Sequence, residues 1–196
     1  MVKKKIQKIN YATLLLVASF VGLVASFWQT TERVHMLKYP NDPLSCNLSP
    51  VVDCGGVLGD RLSAVFGPPN ALIGVVIFTL LFAFALQRVS GGSWSQLVRK
   101  VVVTLSIVIM LFSLWFFWVS LYVFSKICIF CVFIWIVSMP IGVYGAKDYL
   151  ETIKNPQGLF KWKRDFLSKN ALTVTVALYG LLIVLFFLKF QDYYFG

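Results

Sequence analysis

The chain has 196 residues, 59% of them apolar and only 13% charged, with a net charge of +10. That balance excludes an ordinary water-soluble domain and is the composition of an integral membrane protein. The positive charge is not a nucleic-acid signal, because it is grouped at the ends of apolar runs rather than spread over a polar face.

The first apolar run, residues 11–28, follows Lys3, Lys4, Lys5 and Lys8. It is long for a signal peptide and no clear small-x-small cleavage site follows it, so it reads as a retained anchor. Residues 29–68 form the one long polar segment. Its start, Thr30 to Leu37, either extends the first helix or makes a short surface helix, and Pro40-Asn41-Asp42-Pro43 then breaks it. Cys46 and Cys54 follow, with Pro50 between them and Gly55-Gly56 after them. Val57 to Phe66 is amphipathic and is expected to lie as a short helix on the membrane surface. Gly67-Pro68-Pro69 ends it and starts the second run, residues 69–86.

The third run, residues 101–123, is joined to the fourth, residues 128–144, by almost no linker, so the two form an antiparallel hairpin with Cys128 near its tip. A basic loop, residues 145–170, precedes the fifth run, residues 171–190. A bilayer core takes roughly 20 helical residues, and a backbone in lipid must satisfy its own hydrogen bonds. The fourth run is therefore also a span, although it is short and contains Pro140. The expected fold is an all-α membrane protein with five transmembrane helices in one domain. Thirteen of the 18 basic residues fall before the first run, between the second and third, or between the fourth and fifth. The positive-inside rule makes that face cytoplasmic, which places all four cysteines at the extracytoplasmic face of a cell inner membrane, where disulfides persist.

Cys128-Ile129-Phe130-Cys131 is a Cys-x-x-Cys pair at a helix mouth. Positions i and i+3 share a helical face about 4.5 Å apart along the axis. Cys128 is thus expected at the aqueous boundary, with Cys131 one turn deeper. The helix N-terminus and nearby Lys126 favour the reactive thiolate. The bland alternative, two small buried apolar residues, fits the spacing and the oxidising face less well. Cys46 and Cys54 are close enough to bridge each other as a static disulfide, yet the bends of the loop also let either thiol reach Cys128. Four cysteines allow three pairings. A four-cysteine zinc site suits neither the wide first spacing nor an oxidising compartment. Asn70 is a polar amide at membrane depth, which marks either a ligand contact or the cap of its own helix. Trp135 lies one turn below Cys131, placed to stack on a flat ring or simply to pack. His35 reads as a surface histidine.

These residues together resemble the vitamin K epoxide reductase family. The resemblance rests on Cys46-x7-Cys54, on Asn70-x3-Gly74 and on the Cys128/Cys131 motif, and it covers roughly residues 11–144. Glu32-Arg33-Val34-His35-Met36-Leu37-Lys38 and Phe66-Gly67-Pro68-Pro69-Asn70 look most like the bacterial homologues. The resemblance implies a four-helix bundle around a quinone, menaquinone or ubiquinone, with a fifth peripheral helix. It implies that Cys131 faces the quinone, that Cys128 exchanges with Cys54, and that Cys46 and Cys54 are the shuttle pair. It also implies that Asn70 bonds a quinone carbonyl. Bacterial relatives often continue from the fifth helix into a fused thioredoxin domain. None follows here, so the expected partner is a separate extracytoplasmic thioredoxin-fold protein. Two departures stand out. Trp135 occupies the place of a tyrosine in animal members, and Gly59 and Asp60 stand where a serine is common. Quinone reduction therefore carries over and epoxide reduction does not. The competing readings are a DsbB-type quinone reductase of different ancestry, whose two motifs run in the reverse order, and a non-enzymatic membrane scaffold with a structural disulfide.

Overall fold

The computed structural model describes residues 10–153 and 157–195; Lys3, Lys4, Lys5, Lys8 and Lys154, which enter the charge asymmetry, lie outside them. The elements in order are α1 (Tyr11–Lys38), α2 (Cys54–Leu58), a 3-10 turn (Arg61–Ala64) and α3 (Asn70–Val89). Then come α4 (Gln96–Val119), carried on by one π-helical turn (Ser120–Phe124), α5 (Ile129–Thr152) and α6 (Gly158–Phe195). α1, α3, α4 with its π-turn, α5 and α6 are each long and apolar enough to cross a bilayer. The protein is a multi-pass, all-helical membrane protein.

The helices outrun the apolar runs that announce them, because hydropathy registers only the part of a helix that lipid touches. α1 continues ten residues past Trp28, so the surface-helix alternative for that stretch does not hold. Asn10 starts it by accepting the Ala12 N–H, and Ser95 starts α4 by accepting the Val98 N–H. The basic loop expected over residues 145–170 is mostly helix: α5 runs to Thr152 and α6 begins at Gly158. Val57–Phe66 is also not a surface helix. Its Val57 and Leu58 point down and are buried, so α2 and the 3-10 turn form a cap on the bundle.

α1 packs between α3 and α5, α4 packs on α5 and touches α3, and α6 leans on α5 from outside. Four helices thus enclose a bundle, with the fifth peripheral. At the end carrying the basic residues, Trp94 donates its indole N–H to the Phe84 carbonyl, and Arg99 pairs with Asp148 at 2.6 Å. At the other end, a second core gathers Cys46, Cys54, Val57, Phe117, Cys128, Cys131 and Trp135.

α6 is attached by a consequence of Pro140. Proline has no N–H, so the carbonyl of Ile136, one turn earlier, loses its helical partner. Tyr179 of α6 donates its hydroxyl to that carbonyl, which is how membrane helices tolerate proline. Tyr179→Phe is expected to loosen α6 by about 0.6 kcal/mol, the mean for such bonds in membranes. Unfolding titrations in mixed micelles would read that loss, with an unchanged bundle.

Candidate functional site

The site is assembled by a short piece of β-pairing. Val52 forms a parallel bridge with Ile127: Ile127 N–H donates to the Val51 carbonyl at 2.8 Å, and Asp53 N–H donates to the Ile127 carbonyl at 3.1 Å. Parallel pairing advances both chains together. Cys128 follows Ile127 directly and Cys54 lies two residues past Val52, so both emerge on the same side of the bridge. Both are completely buried in one cluster. The loop sits over the entrance of α5, and Cys128 is therefore not at an aqueous boundary as its sequence position suggests.

Cys46 and Cys54 are joined as a disulfide, while Cys128 and Cys131 are thiols. Cys128 is the N-cap of α5 and Cys131 lies in its first turn. The ammonium of Lys126 is not spent on Cys128. It binds the Asp53 carboxylate and lies over Gly56, where any side chain would collide with it. Asp53 also caps α2, accepting the Gly56 N–H at 3.1 Å. The pair clasps the loop to the hairpin on either side of the bridge.

Burial pushes the Asp53 carboxyl up, but the hydrogen bond from Lys126 and those from the Gly56 and Gly55 amides outweigh it and hold the group below its usual range. A depressed carboxylate stabilises the fold above its unfolded pKa, near 3.9, and this is lost as pH falls through the folded value. Asn keeps the cap but not the charge. Asp53→Asn is therefore expected to flatten the fall in thermal stability below about pH 4. Melting curves of both proteins between neutral pH and that acid range check it, and an unchanged slope would remove the clasp.

Beneath the cysteines is a cavity of about 140 Å³ enclosed by α1, α3, α4, α5 and the cap. Its walls are apolar, among them Ile73, Ile77, Phe78, Ile109 and Phe112. Cys131 lines it and Cys128 does not. Trp135 lines it one turn below Cys131, buried and edge-on to Phe117 with ring centroids 4.9 Å apart. Asn70 lines it too, but it is not the cap of its own helix, since Pro69 occupies that position. Its amide holds the protein cap in place. Nδ2 donates to the Leu62 carbonyl at 2.7 Å, and Oδ1 accepts the Val65 N–H at 3.1 Å. One Nδ2 hydrogen is left without an assigned acceptor.

Three polar residues of α1 complete the wall and are absent from the sequence-based site. Gln29 is buried and donates from Nε2 to the Cys131 sulfur at 3.2 Å. Ser26 and Arg33 stand at i−3 and i+4 from it, on the same face. Ser26 Oγ, Ser113 Oγ and Arg33 Nε are all buried without a hydrogen-bond partner, and all three residues line the cavity. Arg33 enters none of the ion pairs among the described residues. The available signal was the recurrence of polar side chains at residues 26, 29 and 33 beside the apolar run. Buried donors without partners, lining a mostly apolar cavity together with a thiol, suit a ligand bearing hydrogen-bond acceptors. No cluster of metal-ligating residues occurs among the described residues.

The sequence model of the vitamin K epoxide reductase family matches residues 13–146, which hold all four cysteines, Asn70 and Trp135. No curated protein matches the chain.

Proposed function

The chain belongs to the vitamin K epoxide reductase family, a family of membrane oxidoreductases, and on that premise we propose that it passes electrons from an extracytoplasmic thioredoxin-fold protein to a quinone, so supporting disulfide formation. The observation that carries this is the division of labour between the two free thiols. Cys131 opens on the cavity, whereas Cys128 sits under the loop beside Cys54.

The residues fit a quinone. The cavity walls are mostly apolar, and the orphaned donors of Ser26, Ser113 and Arg33, with the spare Asn70 N–H, suit carbonyl oxygens. When bound, the quinone supplies a two-electron, two-proton acceptor. The protein does the rest. A partner dithiol reduces Cys46–Cys54 and leaves as a disulfide. The Cys54 thiolate attacks Cys128 of a Cys128–Cys131 disulfide and releases Cys131 as a thiolate. Cys46 then attacks Cys54, restores the loop disulfide and frees Cys128. The two thiols of the helix pair finally give up two electrons and two protons, and their sulfurs join. A joined loop pair with a reduced helix pair is the stage just before that last step. Gln29 holds the Cys131 sulfur against the cavity, and the Arg33 cation, which lines the same cavity, would stabilise negative charge on a bound acceptor.

Cys46 and Cys54 are themselves buried, so the loop must part before the partner can reach them. The basic end is cytoplasmic in this reading, and the membrane is the cell's inner one. The test uses purified protein with a reduced thioredoxin-fold oxidase and a soluble quinone analogue. Thiol loss and quinol gain in a one-to-one ratio of pairs are expected. Thiol loss without quinol, or neither, would contradict the reading.

A further inference from the structure

The quinone reading leaves open which of the orphaned donors meets the second carbonyl. Asn70 has a single spare N–H, enough for one carbonyl. A two-carbonyl ring wants another donor on its far side.

Ser26 is fully buried, and its Oγ has no partner. Among the described residues it shares that state with Ser113 and Ser120, whereas other helical hydroxyls bond their own backbone. Ser19, Thr30, Thr79, Ser106 and Thr175 each turn the hydroxyl onto the carbonyl one turn back. Ser26 turns towards α3 instead, and Gly74 makes room for it. A Cβ at Gly74 would lie 2.7 Å from Ser26 Oγ and 3.3 Å from its Cβ. Gly74 stands four residues after Asn70 on the same face of α3, a rise of about 6 Å. Ser26, Gly74, Asn70 and Cys131 line the same cavity.

We propose that Ser26 Oγ donates the hydrogen bond to the second quinone carbonyl, para to the one held by Asn70. The proposal rests on the quinone reading and adds to it a role for the Asn70-x3-Gly74 spacing. Asn70 supplies one donor, and Gly74 admits the other from α1. Removing an orphaned hydroxyl does not cost the ligand-free fold anything.

Equilibrium binding of two probes tests it, using wild type, Ser26→Ala and Ser113→Ala in detergent. The probes are 1,4-naphthoquinone, with two carbonyls, and 1-tetralone, with one. Ser26→Ala is expected to weaken naphthoquinone roughly three- to tenfold, the worth of one neutral hydrogen bond. Tetralone binding and the melting point of the ligand-free protein are expected to stay the same. Equal naphthoquinone binding by Ser26→Ala would overturn the proposal. So would equal losses for both probes, a lower melting point of the ligand-free variant, or a loss confined to Ser113→Ala. If wild type binds neither probe, the quinone reading itself fails, and this separates the two failures.

Discussion

Cys131→Ala is expected to lower quinone reduction by roughly a thousandfold or more, to background, since the group that meets the acceptor is gone. Its second consequence is more informative. With Cys131 absent, the Cys128 thiol has no partner on its own helix. The nearest disulfide is Cys46–Cys54, brought alongside by the Val52–Ile127 bridge. Attack by Cys128 on Cys54 then forms a Cys54–Cys128 bond and releases Cys46 as a thiol. No quinone-facing thiol can carry the reaction further. Cys46→Ala approaches the same bond from the other side: Cys54 attacks Cys128 of the helix-pair disulfide, and the loop has no thiol to resolve it. A static structural disulfide would behave otherwise. Cys46–Cys54 would remain intact in Cys131→Ala, and Cys128 would stay free. Mass spectrometry of peptides from both non-reduced variants separates the cases, and the absence of a Cys54–Cys128 peptide from both would end the relay.

Asn70→Ala is expected to lower kcat/KM for quinone by roughly a hundredfold, the sum of three hydrogen bonds at about 1 kcal/mol each. Two are visible, to the Leu62 carbonyl and from the Val65 N–H, and they hold the cap that roofs the cavity. The third is the proposed bond to the first carbonyl. Asn70→Asp separates them in part. It keeps an acceptor for the Val65 N–H but has no donor for Leu62 or for a ring oxygen. If Asn70 only holds the cap, both variants should raise KM through a loosened roof and leave the chemical step alone. If it also holds the ring, kcat falls in both, and single-turnover oxidation of the helix pair slows. An Asn70→Asp protein with wild-type turnover would exclude the carbonyl bond.

The spans were readable because a bilayer leaves a chain little choice. Five runs near 20 apolar residues can only be helices, and the near-absent linker before Cys128 makes a hairpin whatever else is true. Helix ends were not readable, since α5 to Thr152 and α6 from Gly158 run outside lipid on residues that hydropathy counts as loop. The cysteines, Asn70 and Trp135 stood out as unusual residue types at telling places. Ser26, Gln29 and Arg33 did not, because their meaning depends on which neighbours face them. A serine on α1 is unremarkable until Gly74 of α3 and Cys131 of α5 are known to share its cavity. Lys126 was misread for the same reason. Cys128 is two residues away in sequence, but the partner that binds the ammonium is Asp53, across the bridge.

The most direct measurement is a single-turnover stoichiometry. The fully reduced protein, held without oxygen and freed of excess reductant, is mixed with a soluble quinone, and quinol is counted per chain. Two dithiols connected in series should reduce two quinones per wild-type chain, one from the helix pair at once and a second as the loop pair refills it. A Cys46→Ala/Cys54→Ala protein should reduce one. Two equivalents falling to one on loss of the loop pair is the result the account predicts. A single equivalent from both proteins would contradict the relay, and none from either would contradict the function.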